Sequence, residues 1–291
     1  MAMHKTAAKA VGASALAALV LTACGGGDES ESSEEGGEML NNAGTLQVCS
    51  DVPYPPFEYF DGDGNVVGFD IDIAEAIAES MDAELEIVQT GFEGIQSGVA
   101  LDSNTCDIAI SGMTITEERA GNMLFSEPYL DDNLGLLAAT AADVSSLDDL
   151  EGLAVGVQAD TTGATYAEEQ GYEVREYSDS GLLIQGLESG QVDAAIGNIS
   201  ILGYQAGESD TSEFIEEIDT GEQLGIAAQS ENTELIEAVN EALAEMESSG
   251  ELEELEDTWF LEGDTPEEGD AEETTDDEAA EDEPAEDEGD E

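Results

Sequence analysis

Cys106-Asp-Ile-Ala-Ile-Ser-Gly-Met-Thr-Ile-Thr-Glu-Glu-Arg119 is the stretch on which the reading of this chain turns. It opens with a short apolar strand, Asp107 to Ile110. Upstream, Thr45 to Cys49 and Leu85 to Val88 also read as strands. The segments between them are helical: Gly68 to Met81 sets Ile71, Ile73, Ala74, Ile77 and Ala78 along one stripe, and Phe92 to Ala100 follows. Strands that alternate with helices imply parallel pairing through helical crossovers. The pattern then starts again, with strands at Ala154 to Val157, Glu173 to Tyr177 and Ala194 to Ile196, and helices at Thr162 to Glu169 and Ser180 to Ser189. Two similar α/β lobes are expected. Glu234 to Ser249 carries Leu235, Ile236, Val239, Leu243 and Met246 on one helical face, and Leu252 to Phe260 reads as a closing helix.

The opening stretch ends in one of the few cations in the chain. Four Lys and Arg and one His stand against 73 Asp and Glu, a formal net charge of -69. Lys5, Lys9 and His4 lie in a segment expected to be removed, which leaves Arg119 and Arg175. A field this negative repels nucleic acid and anionic lipid headgroups, so neither is an expected partner. At molar salt the Debye length falls to about 3 Å and neighbouring carboxylates scarcely interact, so the acidity suits a salty exterior. Without His or Lys there is no Ser-His-Asp or Cys-His constellation, no His-ligated zinc and no Schiff base, although carboxylate chemistry stays open. No cofactor or metal is expected.

Residues 1–23 read as an export signal, with Lys5 and Lys9 ahead of an apolar run from Val11 to Leu21 that is too short to span a bilayer. Residues 24–43 form an acidic Gly/Ser tether, and residues 263–291 an acidic tail without aromatic or branched aliphatic side chains, expected to be disordered. Asp51-Val-Pro-Tyr54-Pro-Pro-Phe57-Glu58 directly follows the first strand, where an open α/β sheet presents its ligand site, and its prolines stiffen the loop. Gly62-Asp-Gly-Asn65 reads as a hairpin turn. It also begins like a calcium loop, but Val66 stands where such a loop needs glycine.

Four strings now form a pattern: Tyr54-Pro-Pro-Phe-Glu, Gly68-Phe-Asp-Ile-Asp-Ile-Ala74, Cys106 to Arg119, and Phe125-Ser-Glu-Pro-Tyr129. In this order they resemble the solute-binding proteins of polar amino acid ABC transporters, over about Thr45 to Leu261. Leu21-Thr-Ala-Cys24-Gly25 likewise resembles a bacterial lipobox, in which Cys24 would be acylated and would hold the protein on the outer face of a membrane. The resemblance implies a type II periplasmic-binding-protein-like fold, with the ligand in a cleft between lobes joined by two hinge strands. It places lobe 1 at 44–136 and 228–262 and lobe 2 at 137–227, with crossings near Leu134 to Thr140 and Glu222 to Ala228.

By the same resemblance, Arg119 holds the ligand carboxylate bidentately, which a planar guanidinium suits. Asp51 faces the ligand side chain, Tyr54 and Phe92 are aromatic walls, and Ser111, Thr114 and the Gly112 backbone are polar contacts. In the second lobe, Thr161 and Thr162 open a helix whose free N–H groups and hydroxyls can receive the same carboxylate. Helix capping explains one of the two threonines without requiring both. Two positions depart from the family: Asp160 stands where glycine is usual, and Asn198 where an aspartate commonly pairs with the α-ammonium. Cys49 and Cys106 lie on strands that the implied fold sets side by side, and either a disulfide or two buried thiols fits them.

The expected function is a non-enzymatic, membrane-tethered, monomeric receptor that captures a polar amino acid by lobe closure and delivers it to an ABC permease. A dehydratase on the same fold, of the cyclohexadienyl type, and a ligand-sensing module for a membrane receptor are the alternatives.

Overall fold

The computed structural model describes residues 39–261. The signal segment, Cys24 with most of the tether, and the acidic tail lie outside them. In chain order the first half comprises β1 (Thr45–Ser50), β2 (Tyr59–Phe60), β3 (Val66–Val67), α1 (Phe69–Ser80), β4 (Glu84–Gln89), α2 (Phe92–Gln96), α3 (Val99–Asp102), β5 (Ile108–Ala109), α4 (Glu117–Ala120), β6 (Met123–Phe125) and β7 (Leu130–Asp131). The second half comprises β8 (Leu134–Ala139), β9 (Ala154–Gln158), α5 (Thr162–Gln170), β10 (Glu173–Tyr177), α6 (Ser180–Glu188), β11 (Ala194–Asn198), α7 (Ile199–Glu208), β12 (Ser212–Ile218), β13 (Gln223–Leu224), β14 (Ala227–Gln229), α8 (Thr233–Ser249) and α9 (Glu251–Glu256).

These strands build two five-stranded sheets, in the orders β4-β1-β5-β14-β6 and β10-β9-β11-β8-β12. In each, the three strands joined by helical crossovers pair in parallel, and the returning strands pair antiparallel. Each sheet carries its own core. In the first, the stripe of α1 packs with α8 around Leu46, Val48, Ile108 and Ile110, while Phe92, Ile95 and Met113 fill the other side. In the second, Leu136, Val155, Val157 and Ile196 lie on one side and Leu183, Leu187 and Leu202 on the other. The chain's closing turn seats Phe260 against Phe57 and Phe69, while the Trp259 indole N–H donates to Asp72 at 2.8 Å.

The first crossing between sheets lies earlier than the sequence indicates, while the second, at β13, falls within the expected Glu222 to Ala228. Leu134 to Ala139, expected at a crossing and partly in lobe 1, is β8, buried between β11 and β12 in the second sheet. Its unbroken apolar run is that of a central strand, covered on both faces. The connection is instead β7 paired antiparallel with β13, Asp131 opposite Gln223 and Leu130 opposite Leu224. The expected helix at Phe92 to Ala100 is broken in two at Gly98, which adopts φ +79. Gly68 has a sharper requirement: at φ +141 an added Cβ would collide with the Phe57 carbonyl, so this glycine lets α1 begin directly under the Pro56–Phe57 loop. At the β2–β3 hairpin, the Asp61 carboxylate accepts hydrogen bonds from the backbone N–H groups of Asp63 and Asn65 and from the Asn65 side chain, which commits it to holding the turn.

Cys49 and Cys106 form a disulfide, with Cα atoms 5.7 Å apart across a sequence separation of 57. The bridge ties β1 to the entry of β5. Replacing both cysteines with alanine is expected to lower the unfolding free energy by about 3 to 4 kcal/mol through lost loop closure in the unfolded chain. Urea unfolding at fixed salt reads this, and an unmoved midpoint would contradict it.

Candidate ligand-binding site

The loops that leave the C-terminal ends of β1, β5, β9 and β11 meet between the two sheets. They enclose a cavity of about 10 Å³ lined by Asp51, Tyr54, Phe92, Ser111, Gly112, Thr114, Arg119, Thr161, Thr162 and Asn198, with Gln158 as an eleventh lining residue. All ten positions singled out in the sequence therefore reach one space. Its volume is room for about one water molecule, so the two lobes stand closed on each other and a larger solute needs them to part.

The first-lobe half is assembled on a buried acid pair. The Asp51 N–H donates to Ser111 Oγ at 3.0 Å, and the Ser111 hydroxyl in turn donates to Glu58 Oε1. Gly112, at φ +49, donates its N–H to Asp70 Oδ2 at 2.7 Å, and the Tyr129 hydroxyl donates to Asp70 Oδ1 at 2.9 Å. A Cβ on Gly112 would stand 2.7 Å from the Tyr54 ring, so the loop requires glycine for space as well as conformation. Glu58 and Asp70 are fully buried beside each other. Burial raises Asp70 to about 7, and burial together with the Asp70 charge raises Glu58 well above the usual carboxylate range. Asp70 accepts from two donors, which favour its charged form, so of the two it is Glu58 that holds a proton more firmly. Tyr54 and Phe92 serve twice, each belonging to a hydrophobic core and also lining the cavity.

Arg119 lies in the short helix α4, whose N-cap Thr116 accepts from the Arg119 N–H at 3.2 Å. Its side chain is only 5% exposed. Nη1 donates to the Thr114 carbonyl at 2.7 Å, Nη2 donates across the cleft to the Asp160 carbonyl at 3.0 Å, and Cζ lies 5.2 Å from the centre of the Phe92 ring. Burial lowers its pKa, and nearby Glu222 and Tyr54 oppose that shift. The departure at Asp160 is resolved in the backbone. The residue takes φ +64, a left-handed conformation that Asp tolerates better than most residues, and its exposed side chain leaves the carbonyl to meet Arg119.

The second lobe closes onto this half by hydrogen bonds. Gln158 Nε2 donates to Asp51 Oδ2 at 2.8 Å, the Tyr54 hydroxyl donates to Asn198 Oδ1 at 2.9 Å, and Ser180 Oγ donates to the Pro53 carbonyl at 2.8 Å. The two threonines divide their work. Thr161 caps α5, accepting from the Ala164 N–H at 3.1 Å, while Thr162 Oγ1 donates to Glu222 Oε2 at 2.7 Å. Thr114 Oγ1, in the first lobe, donates to the same Glu222 oxygen at 2.8 Å. Gln158 and Glu222 are the residues that sequence reasoning missed. Gln158 carries a local signal, since it ends a strand immediately before a ligand-facing turn. Glu222 carries none, because its partners are 108 and 60 residues away.

The matched family is the bacterial extracellular solute-binding proteins, family 3, over residues 46–262. The chain belongs to this family. Arginine-binding extracellular protein ArtP of Bacillus subtilis (strain 168) is 35% identical over 246 residues, covering 82% of this chain and 92% of ArtP. A solved ancestral arginine-binding protein bound to arginine superposes with a TM-score of 0.69 at 36% identity, covering 75% of this chain and 98% of that one. A solved ancestral amino acid-binding protein, described as a precursor of cyclohexadienyl dehydratase, gives 0.68 at 33% identity, covering 75% and 95%. Solute-binding proteins of this family act outside the cytoplasm, which agrees with the export expected from the sequence.

Burial raises Asp51 to about 6, and the hydrogen bond from Gln158 opposes that rise by favouring the charged form. A carboxyl NMR titration of the unliganded protein is expected to place Asp51 near pH 6. In Gln158→Ala the midpoint should move higher still, and a midpoint that falls would contradict the assigned contact.

Proposed function

We infer that this solute-binding component of an amino acid ABC importer captures a cationic L-amino acid, with L-arginine the leading candidate. The supporting observation is the charge layout of the cavity: a buried guanidinium bonded only to carbonyls at one side, and the Asp51 carboxylate at another. In this reading the ligand carboxylate approaches Arg119 and the hydroxyls of Thr114 and Thr162. Its positively charged side chain extends to Asp51 between Tyr54 and Phe92, and its ammonium meets Asn198. The arginine-binding relatives support the same ligand. Capture is by closure of the second lobe, and the direct Gln158–Asp51 and Tyr54–Asn198 bonds give way to ligand contacts. Acylation at Cys24 would tether the receptor, as a monomer, beside its permease.

The dehydratase alternative has one point in its favour. Asp51, raised to about 6, is a carboxyl group suited to proton transfer near neutral pH. Turnover of prephenate would establish that alternative, and its absence alongside arginine binding would dismiss it.

Calorimetry at high salt against the amino acids and their common derivatives tests the main reading, and silence throughout would sink it. Arg119→Ala is expected to cost about 2 to 5 kcal/mol of binding, because a buried carboxylate loses its partner. Asp51→Asn should weaken L-arginine while leaving L-glutamine nearly unchanged. Equal losses for both would remove Asp51 from side-chain recognition.

A further inference from the structure

Two of the buried acids around the cavity, Glu58 and Asp132, have an oxygen without a hydrogen-bond partner, and the first lies against the Asp70 carboxyl group. Glu58 and Asp70 are buried beside each other, and Asp51 lines the cavity under Gln158. Asp132, on the crossing just after β7, is 1% exposed. Its Oδ1 accepts from the Ser200 N–H at 3.1 Å and the Ser200 hydroxyl at 2.7 Å, which caps the start of α7. Its Oδ2 is buried without a hydrogen-bond partner. Capping explains one oxygen and leaves the other unaccounted for, and an uncompensated buried carboxylate is costly.

A cation would compensate it, and the described residues offer only two. Arg119 is bonded to the carbonyls of Thr114 and Asp160, and exposed Arg175 reaches the Gln191 carbonyl beside Tyr177. Asn198 links Asp132 to the cavity. It lines that cavity while Asp132 does not, its Nδ2 lies 3.5 Å from the Asp132 carbonyl, and its amide favours the charged form of the Asp132 carboxyl group. Asn198 Oδ1 accepts from Tyr54 and has a second lone pair free for a donor in the cavity.

We propose that Asp132 is the positioning acid for the ligand's α-ammonium: Asn198 accepts the ammonium on Oδ1 while its Nδ2 leans on Asp132, so the negative charge stands one layer behind the contact residue. The proposal rests on the amino acid reading of the cavity. It deepens that reading by giving the cationic end of the ligand a counter-charge that position 198 itself does not supply.

A pH dependence follows. Burial raises Asp132 to about 7 against the hydrogen bonds from Ser200 and the nearby Asn198 amide, with Glu222 adding repulsion, and Tyr54, Tyr129 and Asp70 are the other titratable groups whose charges it feels. Below that pH the unliganded protein holds a proton there, which an arriving ammonium expels. Affinity for a ligand with an α-ammonium therefore rises with pH through about 7 and then levels off.

The test is calorimetry of the full chain at high salt with L-arginine and with 5-guanidinopentanoic acid, which lacks the ammonium. Asp132→Asn keeps an acceptor for Ser200 and loses only the charge. In this variant, affinity for L-arginine is expected to fall about tenfold or more, while that for the deamino probe changes by less than about twofold. Proton release on arginine binding at pH 6, read in buffers of different ionisation enthalpy, should fall by most of one proton, leaving the share that belongs to Asp51. The unliganded melting temperature should hold or rise. Equal losses for both probes, or unchanged arginine affinity and proton release, would overturn the proposal and leave Asp132 a helix cap. Silence of the wild-type protein toward both probes would overturn the cationic amino acid reading, and the proposal with it.

Discussion

The organising constraint is a single guanidinium buried in a chain that has dispensed with nearly every other cation. Arg119 is bonded on one side to the Thr114 carbonyl of its own lobe and on the other to the Asp160 carbonyl of the opposite lobe. Carbonyl dipoles stabilise a buried cation without neutralising it, so the site retains an unspent positive charge. The surrounding elements serve that arrangement. Phe92 lies beside the guanidinium, Thr116 fixes the helical turn that carries it, and Asp160 accepts an uncommon backbone conformation to present its oxygen. In a protein whose surface is so negative, an enclosed positive centre gives an anionic group a favourable potential.

Beneath that centre lies the opposite problem, a set of acids taken out of water. Glu58 and Asp70 solve it by pairing, and the pair then acts as a platform: the Ser111 hydroxyl and the Gly112 N–H both rest on it. The motif residues Glu58 and Asp70 thus shape the cavity without entering it. Their separation in the sequence conceals that they meet under a loop more than forty residues further on.

Much of the architecture was legible because it is periodic. The stripe of α1 and the strand–helix alternation of both lobes repeat at spacings that fold locally, and the observed elements match them to within a residue or two in most cases. What escaped was set by tertiary context. β8, placed at a crossing by the resemblance, lies between β11 and β12, α7 and β12 carry weak local patterns, and Gly98 splits a helix whose apolar residues continue across it. Site residues carried by short motifs were legible for the same local reason. Glu222 and Asp132 were not, because their roles come from partners brought together only by folding.

The disulfide divides the labour of the cleft. Cys49 and Cys106 pin the two strands whose following loops carry Asp51, Ser111 and Gly112, so the first-lobe face is covalently braced before any encounter. No such bond reaches Gln158, Thr162 or Asn198, which meet that face through hydrogen bonds alone. A solute therefore meets a finished half-site and a movable one. Changes on the hydrogen-bonded half are expected to alter mainly how long a bound solute stays.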